Sequence, residues 1–222
     1  MNFISHFYLL SDVNQPYQTL GCILPDLVRA SGPFRLRESK ITIEFPHTEI
    51  ELGISIHLRT DQLFHQSEFF MKWMKQINKD LVDQQLESIP KYLNFYSHIL
   101  VEMYLDRMLL ERSKGLGEQF YSSLAMVDKA ELANWWNSRI SIEEMDNFWK
   151  FYQRFIDSKF VLQYSTESGF KRAVSNFAFR VHQYKISETD AEKIYNSCKE
   201  LELTIHQDWH AFWQFMIDGI KK

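Results

Sequence analysis

The order of apolar and polar positions along the chain reads as helix almost from end to end. Between His47 and Trp73, Ile50, Gly53, Ile54, His57, Asp61, Phe64 and His65 recur at steps of three and four, while Glu51, Ser55, Arg59, Gln62 and Gln66 take the other face. That spacing predicts one long helix over 47–73. Upstream, residues 2–12 predict a short first helix, and Pro16 opens a second that reaches about Ala30, where Ser31, Gly32 and Pro33 stop it. A polar loop carrying Arg35, Arg37 and Lys40 then runs to Pro46. Pro90 suits a first helical turn, and from there to Arg112 the chain is apolar nearly all round (Leu93, Phe95, Tyr96, Ile99, Leu100, Val101, Tyr104, Leu105), which predicts a central helix. The stretch Gly115–Gly117 breaks it. Ser141 and Glu144 spell an S-x-x-E capping box ahead of a helix rich in Phe148, Trp149, Phe151, Tyr152 and Phe155, and two more helices are expected over 167–183 and 188–217. The expectation is an all-α chain, seven to nine helices in a single bundle-like domain over 1–222.

Composition narrows the class further. Seven Gly and five Pro in 222 residues fall below the average usage of roughly 7% and 5%, which disfavours turn-rich β folds and Gly-rich α/β sheets. Lys and Arg total 25 against 29 Asp and Glu, a formal net charge of −4, so no basic excess offers itself to nucleic acid. Two cysteines, Cys22 and Cys198, are too few for a disulfide framework or a four-thiolate metal site and read as small buried hydrophobes. No stretch reaches the ~18 to 20 apolar residues of a membrane span, and the amino terminus lacks a signal-peptide pattern; a cytoplasmic protein without membrane or nucleic-acid partners is expected. The Trp135, Trp136 and Trp149 group reads as core.

Candidate chemistry concentrates on one stripe. His57, Asp61 and His65 follow one another at i, i+4 steps, so their side chains stack on one helix face about 6 Å apart and neighbours can ligate a common or adjacent ion. His98 and Glu102 repeat the device on the central helix. A buried carboxylate without a partner costs several kcal/mol or more, and either a divalent cation or an arginine meets that need. A hydrogen-bonded core histidine is the other reading of each His. His6 and Asp26, each flanked by apolar residues, are further candidates. Glu44-Phe45-Pro46-His47 satisfies E-x-x-H, but Pro46 disrupts a helix there, so a ferritin-like di-iron site is disfavoured. His47, His182, His206 and His210 show no informative spacing. Phosphate-loop, serine-elbow, zincin and C-x-x-C motifs are absent.

Three strings in order, Met1-Asn2-Phe3-Ile4-Ser5-His6-Phe7-Tyr8-Leu9, Gly21-Cys22-Ile23-Leu24-Pro25-Asp26-Leu27-Val28-Arg29 and Gly53-Ile54-Ser55-Ile56-His57-Leu58-Arg59-Thr60-Asp61, resemble the acyl-carrier-protein phosphodiesterase family. That family opens with M-N-[FY]-L-A-H-L, continues with G-N-x-[LI]-x-D-[FY]-[VL]-[KR]-G and carries G-[IL]-x-x-H-R-x-I-D. Gly169 to Val174, ending at Arg180, resembles its late G-L-x-x-x-L…R-R helix. The resemblance implies an all-helical, HD-like bundle distantly related to HD-type metal-dependent phosphohydrolases. It implies hydrolysis of the phosphodiester joining 4′-phosphopantetheine to a serine of acyl carrier protein, a reaction tied to fatty acid biosynthesis, with a divalent ion, commonly manganese. Metal-site roles for His6, Asp26, His57 and Asp61 follow from it. The family helix D-x-x-x-D-H-F-L aligns with His98-Ile99-Leu100-Val101-Glu102-Met103-Tyr104-Leu105, and its T-D pair with Phe64-His65. Two Asp-to-His changes and one Asp-to-Glu change keep ligating atoms, whereas Met103 suits a hard cation poorly; this allows a preference shifted towards a softer ion or loss of the usual activity, with magnesium, iron and zinc as the candidate ions beside manganese.

The leading expectation is metal-assisted phosphodiester hydrolysis, with ligands drawn from Asp26, His57, Asp61, His98 and Glu102 and with His6 or His65 as ligand or general acid and base. Arg29, Arg59 or Arg180 would neutralise the phosphate, and the loop of Arg35, Arg37 and Lys40 would meet an acidic carrier protein. The alternatives are a non-catalytic helical binding protein with a structural or degenerate ion site, and a hydrolase of another phosphoester such as a nucleotide.

Overall fold

Side-chain caps set the helix ends that the sequence marks most clearly. In the computed structural model, which describes residues 1–10, 14–31, 48–89, 91–136 and 141–221, Ser141 Oγ accepts from Glu144 N while Glu144 Oε2 accepts from Ser141 N, the reciprocal capping box. The order is α1 (Phe3–Tyr8), α2 (Pro16–Ser31), α3 (Glu49–Gln66), α4 (Glu68–Asp83), α5 (Leu93–Arg112), α6 (Leu116–Ala125), α7 (Lys129–Trp136), α8 (Ile142–Ser158), a 3₁₀ helix (Phe160–Ser165), α9 (Glu167–His182) and α10 (Glu188–Lys221). Among the described residues there is no strand, and the all-α expectation holds. Residues 11 and 12 of the expected first helix, the Gly32-Pro33 stop, the loop of Arg35, Arg37 and Lys40, the Glu44–His47 string and Pro90 lie outside the described residues.

Ten α-helices and one 3₁₀ helix among the described residues exceed the seven to nine expected, for two local reasons. The single helix expected over 47–73 is broken at Ser67, whose backbone is extended and whose Oγ accepts from Phe70 N, so the next turn starts afresh as α4. After Gly115, in the left-handed region at φ 83°, the chain builds α6; Asp128 Oδ1 then accepts from the backbone N–H of Ala130 and Glu131 and opens α7.

The backbone divides into two compact units, each assembled from separated stretches of sequence. One comprises Met1–Asn2, Gln62–Ser113 and Leu162–Lys222; the other comprises Phe3–Asp61 and Lys114–Val161. In the first, α4 lies along α5, and the 34-residue α10, about 50 Å long, packs on α4 and α9. Its core includes Phe70, Trp73, Leu100, Tyr104, Phe170, Phe212 and Trp213, with Phe69 and Phe212 stacked at 4.1 Å. In the second, α2 is surrounded by α1, α6 and α8 and its apolar face is buried from Leu20 to Val28 except at Asp26. Cys22 and Cys198 are both fully buried, as expected of small hydrophobes. No helix among the described residues is long and apolar enough to cross a membrane.

One close approach in the second unit positions α3. A Cβ built on Gly21 would stand 2.2 Å from the Ile50 carbonyl oxygen, and one on Gly53 would stand 2.3 Å from the Gln18 carbonyl oxygen. The two glycines therefore let the backbones of α2 and α3 touch, which no side-chain-bearing residue permits at that spacing.

Candidate metal centre

Backbone contact between α2 and α3 brings the His57 ring, one turn beyond Gly53, onto α2. Its Nδ1 donates to the Cys22 carbonyl at 2.9 Å. A carbonyl only accepts, so Nδ1 carries a proton, and in the neutral tautomer this selects, the lone pair is on Nε2. Backbone anchoring of this kind is the usual support behind a metal-ligating histidine. Pro25 has no N–H for the carbonyl of Gly21, which loosens the helical ladder one residue before the oxygen that His57 uses.

His6, on α1, stacks on that ring with centroids 4.1 Å apart and planes at 27°. It is fully buried, and neither ring nitrogen finds a hydrogen-bond partner among the described residues. Burial, with His57 alongside, holds its pKa down at about 3, against a weaker opposing pull from Asp61, so the imidazole is neutral at pH 7. Asp61, one turn beyond His57, spans both rings: Oδ1 lies 3.3 Å from His6 Nε2 and Oδ2 lies 3.5 Å from His57 Nε2. Burial alone would raise its pKa, but the facing His6, together with nearby positive charge and His57, more than reverses that and holds it well below the usual carboxylate range. One ligand atom from each of the three lies within 4.8 Å of the others. Two imidazole nitrogens and one carboxylate on one side of a point form the donor set that divalent transition metals take with positions left open. A divalent ion fits this triad: His6 is a fully buried polar ring whose only polar neighbour at Nε2 is the Asp61 carboxylate, and that carboxylate supplies negative charge.

A second triad forms in the other unit. His65 Nε2 lies 3.1 Å from His98 Nε2; Glu102 Oε1 lies 2.9 Å from His98 Nε2 and 3.6 Å from His65 Nε2. Phe70 stands edge-on to both imidazoles, with centroids at 5.1 and 4.9 Å. The Met1 ammonium is 3.3 Å from Glu102 Oε1. Burial pushes the Glu102 pKa up; that ammonium, with His65 and His98, outweighs it and leaves the carboxyl below its ordinary value.

The i, i+4 pairs expected from sequence, His57 with Asp61 and His98 with Glu102, are both in contact. His65 joins His98 and Glu102, and His6 joins His57 and Asp61. Asp26 belongs to neither triad; it is partly buried and 3.8 Å from the Arg29 guanidinium. Arg59 is exposed on α3, two residues from His57 and so on a different face, and Arg180 is exposed on α9. His182 belongs to an aromatic cluster, stacked on Tyr92 at 4.5 Å and bonded to the Tyr96 hydroxyl, while His206 contacts Arg112. Two positioning elements escape a reading by side-chain type: the Cys22 carbonyl, which is backbone, and the Gly21–Gly53 approach. Two glycines opening the motif strings of a chain with only seven were the available signal.

No curated protein and no solved structure matches the chain. The family model described as acyl carrier protein phosphodiesterase matches residues 1–216, the full run that holds α1 to α9, most of α10 and both triads. The chain belongs to the acyl carrier protein phosphodiesterase family.

Proposed function

We propose that this protein hydrolyses the phosphodiester that joins 4′-phosphopantetheine to acyl carrier protein, with a divalent ion, manganese in the first instance, held by His6, His57 and Asp61. The observation that carries the reading is His6, a neutral, fully buried imidazole with two unbonded nitrogens stacked against a second imidazole and beside an ionised carboxylate. Such an ion, when bound, supplies Lewis acidity at a phosphoryl oxygen and a water ionising near pH 7. The chain's own groups do the rest. The Cys22 carbonyl holds His57 in the tautomer whose Nε2 lone pair is free for a ligand. Burial keeps His6 neutral, so His6 serves as a ligand rather than a general acid at neutral pH. Asp61 stays ionised and bridges the two rings. The relation to HD-type phosphohydrolases is part of the same proposal, supported by the all-helical fold and the His and Asp donor set.

The test is release of 4′-phosphopantetheine from holo acyl carrier protein, read as a mass loss on the carrier, with and without manganese. Wild-type protein is expected to turn over only with the ion. His57→Ala and Asp61→Ala should each lose more than about 100-fold in activity together with one bound ion, while far-UV circular dichroism stays unchanged. Full activity and full ion content in both variants would remove the site. Cleavage of small phosphodiesters with intact holo carrier protein would remove the substrate and keep the chemistry; a bound ion without any turnover would favour a binding protein.

A further inference from the structure

We infer that His65, His98 and Glu102 form a second, separate cation site with its own preference, for a borderline ion of the zinc and cobalt class. His98 Nε2 approaches both Glu102 Oε1, at 2.9 Å, and His65 Nε2, at 3.1 Å. A hydrogen on His98 Nε2 lies in the ring plane and points in one direction, so it cannot be in line with both neighbours. If it serves Glu102, no lone pair remains on that nitrogen to accept from His65. If both rings carry hydrogen on Nε2, the two N–H groups oppose each other. One divalent cation among the three atoms, taking the place of the Met1 ammonium that stands 3.3 Å from Glu102 Oε1, bonds all of them at once.

The spacing suits it. Donors about 2.05 Å from a tetrahedral ion stand ~3.3 Å apart, and the three separations here, 2.9, 3.1 and 3.6 Å, bracket that edge. Two imidazoles and one carboxylate suit zinc, cobalt or iron, whereas magnesium and calcium call for mostly oxygen donors. The rings are also packed on one side: Phe70 is edge-on to both and Phe64 flanks His65 at 5.3 Å. His65 sits at the end of α3 and the other two on α5, so the ion would tie the last turn of α3 to α5 within one unit. Three protein ligands leave a position open for water or an anion.

Equilibrium dialysis of the 222-residue protein against zinc or cobalt, with elemental analysis, counts the ions, and the visible spectrum of the cobalt form reports imidazole coordination. Wild type is expected to hold two equivalents. The double variant His65→Gln/His98→Gln should hold one and lose a distinct share of the cobalt absorption. Glu102→Gln, which keeps the shape, should weaken the second equivalent at least tenfold and guards against a folding artefact in the double variant. His57→Ala/Asp61→Ala should retain the second equivalent, and a hundredfold excess of magnesium should not displace it. Two equivalents in the double variant, with an unaltered cobalt spectrum, would overturn the inference. So would a single wild-type equivalent that disappears with His57→Ala/Asp61→Ala, an outcome that leaves the proposed hydrolase site standing. A single equivalent lost only in the His65/His98 variant would support this site and remove the other; no bound ion at all would overturn both.

Discussion

At the scale of residues, the protein invests in a histidine that stays neutral. His6 is buried without a hydrogen-bond partner among the described residues, and its pKa falls from the ordinary 6.5 to about 3. The unfolded chain therefore takes up a proton below about pH 6.5 that the folded chain refuses until about pH 3. Stability from this group is complete above pH 6.5 and falls as the solution is acidified, by up to about 1.4 kcal/mol per pH unit. Asp61 acts in the same direction at lower pH, because its folded pKa lies below the ordinary carboxylate value and its contribution is lost only as pH falls beneath the usual range near 4. Denaturant unfolding of chelator-treated protein should lose about 2 kcal/mol between pH 6.5 and 5 on account of His6. His6→Gln should flatten that part of the curve; parallel curves for the two proteins would show that His6 does not titrate this way. His57, in contrast, has its tautomer fixed by a backbone carbonyl, a device invisible to any reading of side chains.

At the scale of elements, the α2–α3 contact decides whether the triad exists. An exposed Gly→Ala change inside a helix ordinarily stabilises by about 1 kcal/mol. At Gly53 the added methyl would meet the Gln18 carbonyl at 2.3 Å and the Cys22 nitrogen at 2.7 Å, both rigid backbone. Gly53→Ala is thus expected to reverse the sign, destabilising by about 1–3 kcal/mol, and to weaken ion binding by withdrawing His57 from Cys22. Ser141→Ala, at an exposed cap, should cost about 1 kcal/mol and leave ion binding alone, which makes it the control. A Gly53→Ala protein as stable as wild type with unchanged ion affinity would show that the two helices are free to separate. The same scale explains why there are more helices than apolar periodicity predicts. Apolar periodicity continued through Ser67, where a side-chain cap restarted the helix, and short α6 and α7 hide in a stretch whose pattern is too brief to register.

For the whole molecule, the chain passes between its two units at residues 2–3, 61–62, 113–114 and 161–162, so neither unit can be excised as one contiguous piece. We propose that the protein unfolds cooperatively as one domain, with fluorescence and circular dichroism giving coincident thermal transitions. Two resolved transitions would contradict this. A bound ion adds stability through mass action, about 2.7 kcal/mol at a free concentration 100 times the dissociation constant, so chelation should lower the midpoint of that single transition.

The sequence by itself determined the helical class, the capping box, the i, i+4 pairs and the family, because helix periodicity, local caps and short motifs are encoded within a few residues of one another. His6 as partner of His57, and His65 as partner of His98 rather than of Asp61, were decided only by the tertiary structure. Those choices depend on how closely two backbones approach and which way a ring turns. Such quantities come from packing between segments distant in the chain, where a missing Cβ at Gly21 or a carbonyl at Cys22 matters more than any side-chain chemistry the letters display.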